Sequence, residues 1–147
     1  MSDVTARKYQ ELIAWQVADL FRRFIFRMVL ASAGAGRDLR LRTQLLEAAR
    51  SVPANIAEGF RRKSPGDFAR FLDYSLASLA EAEERLGDGL LLGYFTPRDH
   101  AAAFVLAKRT LTAAIRLKQS QVRYAAELRK ERTKLTKPRK KPDPDSE

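Results

Sequence analysis

The chain has 147 residues and no cysteine, and 28 lysines and arginines against 18 acidic residues give it a net charge of +10. That length suits one domain with a single core, and the lack of cysteine excludes disulfides, thiolate catalysis and cysteine-bound metals. The first residues carry no apolar leader and no stretch is apolar enough to span a bilayer, so we expect a soluble cytoplasmic protein. The excess of positive charge indicates attraction to polyanions.

The first two predicted helices run from about Lys8 to Ala31 and from about Asp38 to Phe60. Apolar residues at three- and four-residue steps predict the core-facing side of each helix. For the first helix this stripe is Ile13, Val17, Leu20, Phe24 and Met28, and for the second it is Leu41, Leu45, Ala48, Val52 and Ile56. The glycine-rich segment "ASAGAG" ends the first helix.

Two aromatic residues of the first helix, Trp15 and Phe26, lie on a different face. At about 100° per residue they point within roughly 20° of each other, together with Arg22 and far from the predicted core stripe. Exposed aromatic pairs are typical of interfaces. We therefore predict that Trp15 and Phe26 contribute to an oligomer contact.

The third and fourth predicted helices share one start signal. Ser64 and Thr96 are N-caps, each followed by a proline and, three residues after the cap, an aspartate. The third helix buries Phe68, Leu72, Ser75, Leu79, Ala82 and Leu86, and the fourth ends near Leu128. The sequence thus predicts an all-α, antiparallel up-down four-helix bundle over residues 1–132, followed by a disordered basic tail over residues 133–147.

Charge is unevenly distributed among these helices. The third helix is acidic overall, whereas residues 101–132 contain eight cations and two acids. Within that segment Arg109, Arg116, Arg123 and Lys130 recur every seven residues and form a stripe with steps of about 10 Å. Such a stripe can follow a phosphate backbone, although charge runs are also common on solvated outer faces. Arg61, Arg62 and Lys63 are secondary candidates for phosphate contacts.

No catalytic or metal-binding pattern emerges from the sequence. The only histidine, His100, has no Glu-x-x-His partner and follows no nucleophile elbow, and no glycine-rich phosphate loop occurs. Glu58 and the acids of the third helix are more typical of ion-pair partners than of a catalytic dyad. We therefore expect no enzyme activity, cofactor or metal.

The segment "SVPANIAEG" combines an apolar helical pattern with polar residues. Pro53 removes a backbone donor, so we expect a kink there and a new partner for the carbonyl of Ala49, either a side chain of Ser51 or Asn55 or water. Glu58 precedes Arg61 and Arg62 by three and four residues, a spacing that allows ion pairs. Structural roles are therefore favoured for Asn55 and Glu58.

The motifs "AWQVA", "SVPANIAEG", "FARFL", "SLAEAE" and "LGYF" give the sequence a resemblance to a known family. Over about Tyr9 to Glu127 it resembles the bacterial 23S ribosomal RNA intervening-sequence proteins, and Pro53, Asn55, Glu58 and Gly59 belong to the most specific motif. The chain departs from the usual pattern in the "ASAGAG" loop and at Glu47, Arg50 and Ala77.

This resemblance implies an up-down four-helix bundle that assembles as a ring-like homopentamer and has no established enzymatic activity. The family is similar in fold to the accessory variability proteins of diversity-generating retroelements, which bind nucleic acid and a reverse transcriptase. The sequence therefore favours a homo-oligomer that binds RNA or DNA through its backbone, without reading sequence and without a membrane partner. The alternative is a scaffold for a protein partner such as a reverse transcriptase.

Overall fold

A computed structural model describes residues 6–138 of the chain. After a 3-10 turn at Tyr9–Glu11, the helices are α1 (Ile13–Ala31), α2 (Ala33–Arg37), α3 (Leu39–Arg61), α4 (Pro65–Leu91) and α5 (Pro97–Thr136). Residues 6–138 contain no β-strand, which confirms the all-α prediction. None of these helices is both long and apolar enough to cross a lipid bilayer.

The four long helices enclose one core. α1 packs against α3 and α5, and α4 packs against the same two helices. Across α3 and α4, Ser51 contacts Ser78 and Val52 contacts Ser75, while Gly59 lies against Phe68. Later residues of α3 thus meet earlier residues of α4, as the short connection between the two helices requires.

The predicted core stripes of α3 and α4 are confirmed. All five apolar residues of the α3 stripe and all six residues of the α4 stripe are buried. Both predicted N-caps are also confirmed, since Ser64 Oγ accepts from the Asp67 amide at 3.2 Å and Thr96 Oγ1 accepts from the Asp99 amide at 3.1 Å. Each cap satisfies one of the backbone donors that a helix leaves unpaired at its start.

The predicted core stripe of α1 is wrong for Ile13 and Leu20, whose exposed fractions are 71% and 55%. Met28 of that stripe is buried as predicted, and Val17 and Phe24 are half-buried. The buried face also carries Ala14, Ala18, Phe21, Ile25 and Val29. Because α1 is apolar on most of its circumference, the three- and four-residue steps fit more than one face. The face with the alanines is the buried one, since small side chains let α1 approach its neighbours closely.

Trp15 and Phe26 were expected to be exposed, and both are half-buried instead. Trp15 packs against the core and makes an edge contact with Tyr9, with ring centroids 5.3 Å apart. The Phe26 ring lies beneath the guanidinium of Arg50 at 5.6 Å. The error follows from the misplaced stripe, because the true buried face lies between the stripe and these aromatics.

Two helix boundaries also differ from the prediction. The segment "ASAGAG" contains the short helix α2, capped by Ser32 Oγ, which accepts from the Ala35 amide at 3.1 Å. α5 continues to Thr136, so the beginning of the segment expected to be disordered, Thr133–Thr136, is helical. Residues 139–147 of that segment lie outside the described residues.

Candidate nucleic-acid interface

The cationic stripe lies on the outer face of α5. Arg109, Arg116, Arg123 and Lys130 are all exposed. The opposite face of the helix is buried through Ala103, Ala107, Thr110, Ala114 and Gln121. The seven-residue repeat therefore corresponds to one solvent-facing row, with steps of about 10 Å along the helix axis.

The electrostatic surroundings of this row are mostly positive. Within residues 6–138, no ion pair involves Arg109, Arg116 or Arg123. The acidic residue Glu127 shares this face of the helix by its position in the 3.6-residue repeat. Toward α4, Lys118 on the flank of α5 pairs with Asp73 at 2.5 Å. The row thus presents cationic groups to solvent over most of its length.

A shallow cleft of about 410 Å³ adjoins the row between α1 and α5. Arg109 and Arg116 line it on one side, and Ile13 and Val17 line it on the other. The side of α1 next to the cationic row is therefore apolar. This combination was not predicted, because Ile13 was assigned to the core.

The three cations after α3 have different surroundings. The Arg61 guanidinium lies 5.2 Å from the centre of the Tyr9 ring. Arg62 pairs with Glu58 at 3.1 Å and lies 4.6 Å from the centre of the Phe71 ring. Lys63 instead lines a cleft that reaches α5. Of these three predicted contacts, Lys63 lines a cleft together with Arg129, and both Lys63 and Arg62 line a second cleft that reaches Tyr124 of α5.

Two clefts lie on either side of the segment Lys63–Pro65. The first, of about 360 Å³, is lined by Lys63, Arg129 and Arg132. The second, of about 170 Å³, is lined by Phe60, Phe68, Gln121 and Tyr124 as well as Arg62 and the segment Lys63–Pro65. Sequence reasoning missed the α5 residues of both clefts, because they lie off the seven-residue repeat. The sequence signal that marks them is their own i, i+3, i+4 spacing along one face of α5.

The polar residues of "SVPANIAEG" hold α3 and α4 together. Asn55 Nδ2 donates to the carbonyl oxygen and to Oγ of Ser51, both at 2.9 Å, and Ser78 Oγ donates to the same Oγ at 2.9 Å. Ser75, which is 1% exposed, donates its hydroxyl to the Val52 carbonyl at 2.8 Å. These bonds agree with the structural role predicted for Asn55.

Pro53 lies inside a continuous helical segment, and the kink stays a prediction. The amide of Asn55 contacts Ser51 rather than the carbonyl of Ala49 that was expected to need a partner. Glu58 pairs with Arg62 and not with Arg61, which confirms one of the two ion pairs that its spacing allowed.

Gly59 allows α3 to approach α4 closely. A Cβ atom at this position would lie 2.7 Å from Phe68 Cδ2 and 2.9 Å from Phe71 Cβ. Real Cβ atoms do not approach neighbours that closely. Glycine is therefore needed here for packing, which is a steric reason for the glycine in the motif "SVPANIAEG".

Among residues 6–138, no cluster of three or more His, Asp or Glu side chains is arranged to hold a metal ion. His100 is half-buried, with its ring 5.0 Å from that of Phe104. The pKa of Tyr94 is raised because its hydroxyl donates to the Asp38 carboxylate at 3.1 Å, and the same carboxylate caps α3 through the Leu41 amide.

Comparison with protein families shows the family of this chain. A family model described as 23S rRNA-intervening sequence protein matches residues 10–115. The chain belongs to this family. The match spans α1, α3 and α4 and the first half of α5, including Arg109, and ends before Arg116. Comparison with curated proteins finds no match.

Proposed function

We propose that this intervening-sequence protein is a non-enzymatic, cytoplasmic nucleic-acid-binding protein that contacts the backbone of RNA or DNA. In this proposal α1, α3, α4 and α5 form an antiparallel up-down four-helix bundle, and the outer face of α5 is the binding surface. The exposed row Arg109, Arg116, Arg123 and Lys130 is the observation that supports it. Phosphate contacts of this kind position a nucleic acid without reading its sequence.

The salt dependence of binding tests this proposal. Each neutralised phosphate releases counterions, so the logarithm of the binding constant falls linearly with the logarithm of salt concentration, by about 0.9 per contact for duplex DNA and about 0.7 for single strands. Arg116→Gln/Arg123→Gln should therefore weaken binding and reduce that slope by about 1.4 to 1.8. The matched control is Arg40→Gln/Arg98→Gln, which removes two exposed cations outside the row.

We expect the control to retain the slope of the unmodified protein. A slope that decreases equally in the two double variants would show that only net charge matters and would refute the role of the row. An affinity that does not change between low and physiological salt would refute phosphate contact altogether.

We also propose that the protein works as a homo-oligomer, most simply the pentamer that its family membership suggests. Trp15 and Phe26 were the predicted contact, but Ile13 and Leu20 expose more apolar surface on the same helix. Ile13 and Leu20 are seven residues apart on one face of α1, and apolar patches on a protein surface mark interaction sites. Light scattering should show an oligomer that Ile13→Ser/Leu20→Ser dissociates, whereas a monomer at micromolar concentration would overturn this part of the proposal.

A second candidate function, a scaffold for a protein partner such as a reverse transcriptase, is favoured by a separate apolar patch. Leu39, Leu91 and Leu92 have exposed fractions of 70%, 87% and 57%. Leu91 and Leu92 line a cleft that also contains Asp38 and Arg40, next to Leu39. Under this alternative, Leu91→Ser/Leu92→Ser abolishes partner binding, and neutralising the cationic row leaves it intact.

A further inference from the structure

The two clefts beside Lys63–Pro65 offer different chemistry within one short region. Lys63, Ser64 and Pro65 line both of them. The clefts therefore share one wall, and α5 contributes successive turns to the opposite side. Gln121 and Tyr124 reach the smaller cleft, and Arg129 reaches the larger one.

The larger cleft suits an anion. Lys63 comes from the segment before α4, whereas Arg129 and Arg132 come from α5, so folding brings together cations that are far apart in the sequence. The neighbouring acid Asp67 pairs with Arg70 at 3.1 Å. Like charges held close together repel each other, and an anion placed between them reverses the sign of that interaction. Arginine and lysine are the side chains that bind phosphate oxygens most often.

The smaller cleft suits a flat group with polar edges. Gln121 lines it and is 5% exposed, yet its Nε2 has only a long contact of 3.5 Å with Ser120 Oγ. Among residues 6–138, no donor reaches the Gln121 amide oxygen. This oxygen is not among the buried side-chain atoms that lack a partner, so it retains accessible surface and can accept a hydrogen bond from a ligand. Phe60 and Tyr124, both half-buried, supply aromatic surface next to it.

A nucleobase has the shape and the polar groups that fit the smaller cleft. Its faces stack on aromatic side chains, and its edge carries both donors and acceptors that match an amide. Along α5, Tyr124 and Arg129 are five residues apart, about 7.5 Å along the axis and about 140° around it, and each lines one of the two clefts that share the segment Lys63–Pro65.

We propose that the two clefts together bind one unpaired nucleotide of a single strand, with its base beside Gln121 and Tyr124 and its phosphate beside Lys63, Arg129 and Arg132. The proposal rests on the nucleic-acid-binding function above and makes it more specific. Bases of a duplex are paired and stacked and do not enter such a cleft, so the preferred ligand is single-stranded. RNA and DNA share the chemistry that both clefts recognise.

Three probes of equal length test this inference by fluorescence anisotropy: an oligouridylate, an abasic single strand and a duplex. We expect the unmodified protein to bind the oligouridylate most tightly. Tyr124→Leu keeps an apolar side chain but removes the stacking ring, and should weaken oligouridylate binding by about 5- to 150-fold. Binding of the abasic strand should not change. Tyr74→Leu is the matched control, because Tyr74 is an exposed tyrosine on α4 that lines neither cleft.

A second variant keeps the test decisive if Tyr124→Leu does not fold. Gln121→Met retains length and burial but removes the amide, and it should reduce the preference for oligouridylate over the abasic strand. Equal binding of all three probes, or variants that weaken oligouridylate and abasic strand equally, would overturn the nucleotide site and leave backbone binding standing. Failure of every probe to bind would overturn the proposed function as well.

Discussion

The close contact of α3 and α4 at Gly59 predicts an unusual effect of the smallest possible substitution. Gly59→Ala adds one methyl group, whose carbon would lie 2.7 Å from Phe68 Cδ2 and 2.9 Å from Phe71 Cβ. Phe68 is only 5% exposed, and the Cβ atom of Phe71 is fixed by its own backbone, so neither atom can easily move away. The helices must therefore separate or shift.

Two opposing effects determine how much Gly59→Ala changes the free energy of unfolding. Replacing glycine by alanine inside a helix stabilises it by up to about 1 kcal/mol. Overpacking of a tight contact costs about 1–3 kcal/mol. Gly87→Ala in α4 is the matched control, because a Cβ atom there meets no atom within 4 Å. Since the helix effect is common to both variants, Gly59→Ala should be less stable than Gly87→Ala by about 1–3 kcal/mol.

Urea unfolding followed by helical circular dichroism measures this difference, at one protein concentration so that any self-association is held constant. Gly87→Ala should unfold at a higher urea concentration than the unmodified protein, and Gly59→Ala at a lower one than Gly87→Ala. In a chain of 147 residues, each kcal/mol of this difference changes the melting temperature by about 2–4 °C. Equal stabilisation by the two alanines would refute the steric reasoning.

Two further predictions concern hydrogen bonds. Ser75→Ala removes the buried bond to the Val52 carbonyl and should lower the free energy of unfolding by about 0.5–1.5 kcal/mol in urea unfolding; an unchanged midpoint would contradict a structural role for this bond. The hydrogen bond to Asp38 raises the pKa of Tyr94 in the folded protein. The bond therefore stabilises the fold below about pH 10, the pKa of tyrosine in the unfolded chain, and this stabilisation is lost as the pH rises through the higher pKa of the folded state. Tyr94→Phe should therefore show a smaller loss of stability than the unmodified protein between about pH 9 and 11, and an equal loss would show that this phenol does not contribute.

How far the sequence determined the fold differs from helix to helix. In α3 and α4 the polar and apolar sides are clearly separated, so every residue of the predicted stripes from Leu41 to Ile56 and from Phe68 to Leu86 is buried. In α1 most faces are apolar, and only the packing of neighbouring helices decides that Phe21 is buried and Leu20 is exposed. Periodicity alone contains no information about those neighbours.

The candidate site, too, could be predicted from the sequence only in part. The row on α5 depends on the repeat of a single helix, and its exposure could be predicted from positions 109, 116, 123 and 130. The clefts require Lys63 to meet Arg129, which are 66 positions apart in the numbering. Their meeting depends on how α4 and α5 pack, so a sequence pattern could indicate the separate charges but not the site that they form.

The length of α5 has a consequence for the local stability of its end. Every residue from Arg129 to Pro138 is exposed, so the last turns of the helix gain little from tertiary packing. Short helical segments without such packing are marginal in water and open readily. Backbone amides from about Arg132 onward should exchange with deuterium much faster than those near Ala107, and a bound polyanion should slow that exchange by ordering the turns it contacts.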